Sequence, residues 1–276
     1  ERERKRWRRR MVSVYSAAHF LVDFACAFLM FRGAEGTPDW YLCVLLYNFC
    51  AFAMQMPLGV LADQWDRNSL FAAIGCVLVG AAFGLRYLPV AAAVTLGVGN
   101  GMFHVGAGVD VLNISEEKSG ALGVFISPGA FGIYLDFPWK NTGCWGAVLI
   151  CAVVLGKTAG GFAADRFGLM RTSGVSLGLA AALLLVPQVP AAGVLSVLLL
   201  NMTAPVTFWA MAKIFPGAKG FSFGLLTFGL FLGFLPVHSG VGALSAPASW
   251  LFAPAAAVSL ALFWTGTRMG TRMARL

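Results

Sequence analysis

Ten apolar runs separated by short polar or proline-containing breaks account for most of this chain: 11–31, 40–62, 69–86, 88–112, 119–136, 144–164, 173–187, 190–212, 219–236 and 248–267. A helix needs about 20 mainly apolar residues to cross the hydrocarbon core of a bilayer. Most of the runs reach that length, while 69–86 and 173–187 are short. None shows the strict alternation of lipid-facing barrel strands. The breaks at 87–90 and 187–190 hold Pro89, Pro187 and Pro190 and read as tight turns. The pattern predicts an all-α polytopic transmembrane bundle of about ten spans.

Composition strengthens that reading. Of 276 residues, 59% belong to the large and small apolar types and only 12% are charged, about half the share usual for a soluble protein. A soluble domain of this size has too little interior to hide so much apolar surface, and disordered chains are poor in such residues. The first run carries His19 and Asp23 and is followed by no clear small-residue cleavage site, so it reads as a span rather than a signal peptide.

The net charge of +8 changes meaning once it is located. Seven of the 20 Lys and Arg residues lie in the first ten positions, directly before an apolar run. Such a flank orients a span, because cytoplasmic loops retain Lys and Arg, and it also attracts anionic lipid headgroups at about 1 kcal/mol per charge. Nucleic-acid binding is therefore not expected. With the N-terminus inside, 16 basic residues fall on the cytoplasmic side and 3 (Arg32, Arg86, Lys140) on the other, with Lys157 inside a span. Ten spans then place both termini in the cytoplasm of what is expected to be a bacterial inner membrane.

Two stretches 102 residues apart are alike. One run ends in Gly59-Val60-Leu61-Ala62-Asp63-Gln64-Trp65-Asp66-Arg67, and another in Gly161-Phe162-Ala163-Ala164-Asp165-Arg166-Phe167-Gly168. Each sets a glycine four residues before an aspartate at a cytoplasmic helix end, where the small residue permits close helix contact. This pattern resembles the loop motif of the major facilitator superfamily. Gly59, Leu61, Asp63 and Arg67 match it, while Gln64 replaces an arginine and Asp66 a glycine; the second copy keeps Gly161, Asp165, Arg166 and Gly168. Ala18-His19-Phe20 with Asp23, and Gly101-Met102-Phe103-His104, are similar to the fosmidomycin-resistance branch. Ser127-Pro128-Gly129-Ala130-Phe131-Gly132 partly matches the antiporter motif, with Pro128, Gly129 and Gly132 as its carriers.

The resemblance implies two pseudo-repeated bundles of parallel orientation. These are 11–136 and 144–267, joined by a linker at 137–143, with a basic segment 1–10 and a tail 268–276. It also implies a departure. The second copy of the motif follows the sixth run rather than the eighth, so the equivalents of two central helices are absent. One of these normally lines the pathway. The chain is then a transporter that completes its cavity by homo-oligomerising, a fragment, or a degenerate copy serving as a membrane scaffold or subunit.

Ionisable groups inside the apolar runs are costly, at about 2.5–3.5 kcal/mol each at mid-bilayer. They are His19, Asp23, His104, Asp110 and Lys157. His19 and Asp23, four apart, share a helix face and form either a proton carrier, since imidazole titrates near neutral pH, or a static polar pair. His104, Lys157 and Asn201 are the further candidates for a proton or substrate pathway, with Thr203, Asn48 and Gln55 as polar lining; the bland readings are a backbone-bonded histidine for His104, snorkelling toward the headgroups for Lys157, and an interhelical hydrogen bond for the others. Asp110, near a cytoplasmic end, reads as a solvated or loop-paired carboxylate. Gly80/Gly84, Gly220/Gly224 and Gly229/Gly233 have the spacing of close helix packing. The six cysteines form no CxxC pair and read as packing residues, and neither metal nor cofactor is expected. Without a Ser/His/Asp constellation or phosphate-binding loop, an enzyme is not expected either. The leading expectation is a secondary transporter exporting a small organic, drug-like solute in exchange for protons.

Overall fold

The computed structural model describes residues 1–115, 118–127, 137–239 and 252–273, and all regular elements among them are helical. In chain order they are α1 (Arg2–Leu29), α2 (Trp40–Asn48), α3 (Gln55–Trp65), α4 (Asn68–Ala82), α5 (Pro89–Ser115), α6 (Gly120–Ile126), α7 (Trp145–Phe167), α8 (Leu169–Leu183), α9 (Pro190–Asn201), α10 (Thr203–Ile214), α11 (Lys219–His238) and α12 (Phe252–Met273).

Seven helical stretches are long and apolar enough to cross a membrane: Arg2–Ala34, Trp40–Trp65, Asn68–Leu85, Pro89–Ser115, Trp145–Phe167, Pro190–Ile214 and Lys219–Pro236. Two expected runs yield shorter apolar helices, Leu169–Leu183 and Ala253–Gly266. The run 119–136 is helical over α6, and the rest of it, with Pro128, Gly129 and Gly132, lies outside the described residues. The ten expected spans thus correspond to seven helices of membrane-crossing length among the described residues.

Proline explains two interruptions that hydropathy alone does not register. The stretch Trp40–Trp65 passes through a π-helical turn, Phe49–Ala53, just before Pro57. A proline cannot donate to the carbonyl four residues back and its ring crowds that carbonyl; the wider turn makes room for it. In Pro190–Ile214 the same conflict falls on Asn201, four residues before Pro205, and the helix breaks there into α9 and α10. Such breaks are tolerated in apolar helices where neighbours satisfy the freed backbone groups.

Two compact units form. The first gathers α1–α5 and α11, the second α6–α9 and α12, with the boundary inside α10 between Ala210 and Met211. This grouping differs from the division of the chain into 11–136 and 144–267, because α11 packs with the first five helices and α6 with the later ones. In the first unit α5 is central, and its glycines set how closely its neighbours lie. A methyl group at Gly75 or Gly99 would overlap the backbone across the α4–α5 contact, and one at Gly97 the backbone of Tyr47. At Gly108 it would meet the ring of Phe223 on α11.

The second unit packs around Phe137, Trp139, Leu149, Ala152, Val153, Leu184, Val197 and Ala253. Two of these come from the segment expected to be a plain linker. Phe137 and Trp139 are buried and stacked with ring centroids 4.9 Å apart, and the Trp139 indole N–H donates to the Pro187 carbonyl at 2.9 Å. The stretch 137–143 is therefore a packed corner. Among the glycine pairs expected to pack, Gly220/Gly224 does so against α3, whereas a methyl group at Gly80, Gly84, Gly229 or Gly233 would touch nothing within 4 Å. Spacing shows where a close approach is permitted, not where it occurs.

Candidate functional site

Asp63 and Asp165 stand at matching places and make matching contacts. Asp63, near the end of α3, accepts from the backbone N–H of Gly220 at 2.7 Å and of Phe221 at 2.9 Å, in the first turn of α11. Asp165, near the end of α7, accepts from the N–H of Ser119 at 2.6 Å, the N–H of Gly120 at 2.9 Å and the Ser119 hydroxyl at 2.9 Å, at the start of α6. The first amides of a helix have no partner within it and carry the positive end of its dipole, so a carboxylate is well placed there. Each carboxylate caps a helix distant in sequence.

The glycines make the approach feasible. A methyl group at Gly59 would overlap the Gly220 carbonyl, and one at Gly161 would lie 2.6 Å from the Ser119 carbonyl and 2.9 Å from the Gly120 Cα. The third residue after each aspartate completes the match. Asp66 closes α3 at φ +49°, and Gly168 closes α7 at φ +87°. Asp is one of the few side-chain-bearing residues that visits left-handed backbone, which is how it stands where the resembled motif has glycine. Arg67, just after α3, and Arg166, in the last turn of α7, are exposed, and the Arg166 guanidinium lies 5.6 Å from the Phe167 ring centroid. Of the capped partners, the sequence pointed to Gly220 alone, and for helix packing through the Gly220/Gly224 spacing; Ser119, Gly120 and Phe221 were not singled out.

A second constellation lies within the first unit. His19 and Asp23 on α1 face α5, and His104 joins them. His19 is 3% exposed. Its Nε2 lies 3.1 Å from Asp23 Oδ2 and 2.8 Å from His104 Nε2, and His104 Nε2 is 3.6 Å from Asp23 Oδ1. The hydrogens follow from the partners. His104 Nδ1 is 2.9 Å from the Asn100 carbonyl, which can only accept, so Nδ1 carries a hydrogen. In a neutral His104 ring, Nε2 then presents a lone pair, and His19 Nε2–H donates to it. One hydrogen lies between two rings that meet edge to face.

The polar column continues along α1 in steps of three and four residues, the spacing of one helix face. The Asn100 amide donates to Asp23 Oδ1 at 3.2 Å and to Cys26 Sγ at 3.5 Å. Toward the N-terminus, the Tyr15 hydroxyl and the Ser69 hydroxyl both donate to Asp110 Oδ2, the latter at 2.7 Å. Asp110 is thus held by side chains, not by solvent alone. Asn100 and Tyr15 were not singled out by the sequence, because an uncharged polar residue in an apolar run looks the same whether or not it has a partner.

The remaining candidates belong to the second unit. Lys157 is partly buried on α7, and its carbonyl is 2.6 Å from where a methyl group at Gly123 would sit. Asn201 ends α9 and donates to the Val197 carbonyl at 2.8 Å, within its own helix. The described contacts of the His19–Asp23–His104 cluster come from its own unit. Comparison with protein-family models, with curated proteins and with solved structures yields no match.

Proposed function

We propose that the protein is a secondary active transporter of a small organic solute, built on ten spans in two parallel pseudo-repeated halves and working by outward exchange for protons. The observation that carries this reading is the pair of capping contacts. Each joins a helix from one half of the chain to a helix from the other: Asp63 at 63 to α11, and Asp165 at 165 to α6. Alternating access needs contacts that hold one arrangement and break at modest cost, since a ligand shifts an equilibrium only by its differential affinity for the two states. A carboxylate on a helix N-terminus contributes about 0.3–2 kcal/mol, which suits a latch that opens and closes. Each latch lies inside one compact unit, so opening it lets that unit's own helices shift.

The His19–Asp23–His104 cluster supports the coupling ion. Two neutral imidazoles beside a carboxylate are a group that can take up one further proton and give it back when the surroundings change. The decisive experiment reconstitutes the full chain in proteoliposomes and follows uptake of ethidium and of fosmidomycin with and without a pH gradient. Gradient-dependent uptake above empty vesicles is expected for at least one probe; uptake equal to empty vesicles under both conditions refutes the proposal.

A further inference from the structure

We infer that His19, Asp23 and His104 together form a binding site for a divalent first-row transition-metal cation of the Zn2+ class. The inference goes beyond the transport reading and does not depend on it, since a chain that moves no solute would hold the ion equally well.

The three residues each offer one ligand atom, and these atoms all lie within 4.8 Å of one another. Zn2+ binds imidazole nitrogen and carboxylate oxygen at about 2.0–2.2 Å in tetrahedral sites, which sets neighbouring ligand atoms about 3.3 Å apart. The separations here are 2.8, 3.1 and 3.6 Å, on both sides of that value. An ion therefore fits between the three groups after side-chain shifts of a few tenths of an ångström. Helix geometry supplies the preorganisation: His19 and Asp23 are one turn apart on α1, and His104 faces them from α5.

The chemistry around the ligands agrees. A metal-binding histidine characteristically donates its other ring N–H to a carbonyl or carboxylate, which fixes the tautomer and aims the lone pair. His104 does this through Nδ1 to Asn100, and its Nε2 points at the cluster. The carboxylate is oriented too, by the Asn100 amide on Asp23 Oδ1. Asn100 thus positions two of the three ligands from one place. For the ion to bind both rings through Nε2, the hydrogen now between them must move to His19 Nδ1, which leaves His19 a neutral imidazole with its Nε2 lone pair free. Two imidazoles with one carboxylate suit Zn2+, Co2+ and Fe2+, whereas Mg2+ and Ca2+ prefer oxygen. Three protein ligands leave the fourth tetrahedral position to water or another group, and the net positive charge that one carboxylate leaves with the ion favours an anionic one.

The test uses the tag-free full chain in detergent, titrated with Co2+ and followed by visible absorption. One equivalent is expected to give the ligand-field bands of nitrogen and oxygen coordination, without a strong thiolate charge-transfer band, and Zn2+ should abolish them. Affinity should fall about tenfold or more in His104→Gln and in Asp23→Asn. The chain has three histidines, so His238→Ala is the matched control and should leave binding unchanged. Zn2+ should also raise the thermal unfolding midpoint of the wild type and of His238→Ala, but not of His104→Gln, which reads binding in variants whose folding has been checked by circular dichroism. No saturable Co2+ binding by the wild type, a thiolate band, or equal binding in His104→Gln would each overturn the inference. Co2+ binding without probe uptake would remove only the transport reading, and probe uptake without Co2+ binding only this one.

Discussion

Replacing Asp63 by alanine should loosen the protein through a single, well-defined loss. The carboxylate accepts two amide hydrogen bonds, at 2.7 and 2.9 Å, from the first turn of α11. Hydrogen bonds to a charged partner each contribute about 1.5–3 kcal/mol, but water reaches a helix end and replaces part of what is lost. A net cost of about 2 kcal/mol follows, in the upper range for helix caps. Asp63→Asn keeps an acceptor oxygen and loses the charge, so about 1 kcal/mol is expected from the dipole contribution. Asp165 makes three bonds but is exposed; solvent competes more strongly there, and Asp165→Ala should cost about 1 kcal/mol. Reversible unfolding in mixed detergent micelles, followed by circular dichroism, measures all three. Asp63→Ala within about 0.5 kcal/mol of wild type, the range of a neutral surface change, would refute the capping account.

Two further outcomes are expected. Gly59→Leu and Gly161→Leu place side chains against the backbone of another helix and should destabilise by at least about 1–3 kcal/mol, the cost of overpacking; Gly80→Leu, with nothing nearby, should stay within about 0.5 kcal/mol, and equal effects at the three sites would contradict the packing argument. Arg67→Cys and Arg166→Cys, each in a background lacking the native cysteines, should both react with an impermeant thiol reagent from the cytoplasmic side of oriented vesicles, as the charge distribution implies; reaction from opposite sides would refute the orientation.

How far the sequence reached depends on the range of the interaction that each feature needs. Apolar runs report burial in lipid or protein one residue at a time, so the helices could be anticipated. The pair His19 and Asp23 was legible because a four-residue spacing implies one face whatever surrounds it. The recurrence of Gly59 with Asp63 and of Gly161 with Asp165 was legible for the same reason. What lay hidden was the other half of each contact. Nothing local marks Gly220 or Ser119 as the place where a carboxylate lands, nor Asn100 as the residue between Asp23 and His104. Proline effects were underestimated as well: Pro57 and Pro205 lie within apolar runs, yet each forces a π turn or a break just upstream. Phe137 and Trp139 looked like linker residues because the stretch around them is short and polar, and only the carbonyl of Pro187 reveals Trp139 as part of a core.

The measurement that bears most directly on the account is probe flux through proteoliposomes holding Asp23→Asn beside the wild type, at equal protein content and with folding checked by circular dichroism. The asparagine is nearly isosteric, keeps an oxygen for the Asn100 amide, and removes the only carboxylate in the cluster with His19 and His104. The wild type is expected to move ethidium or fosmidomycin in response to a pH gradient, and the variant to lose that response while remaining folded. A variant that responds to the gradient as the wild type does would contradict it.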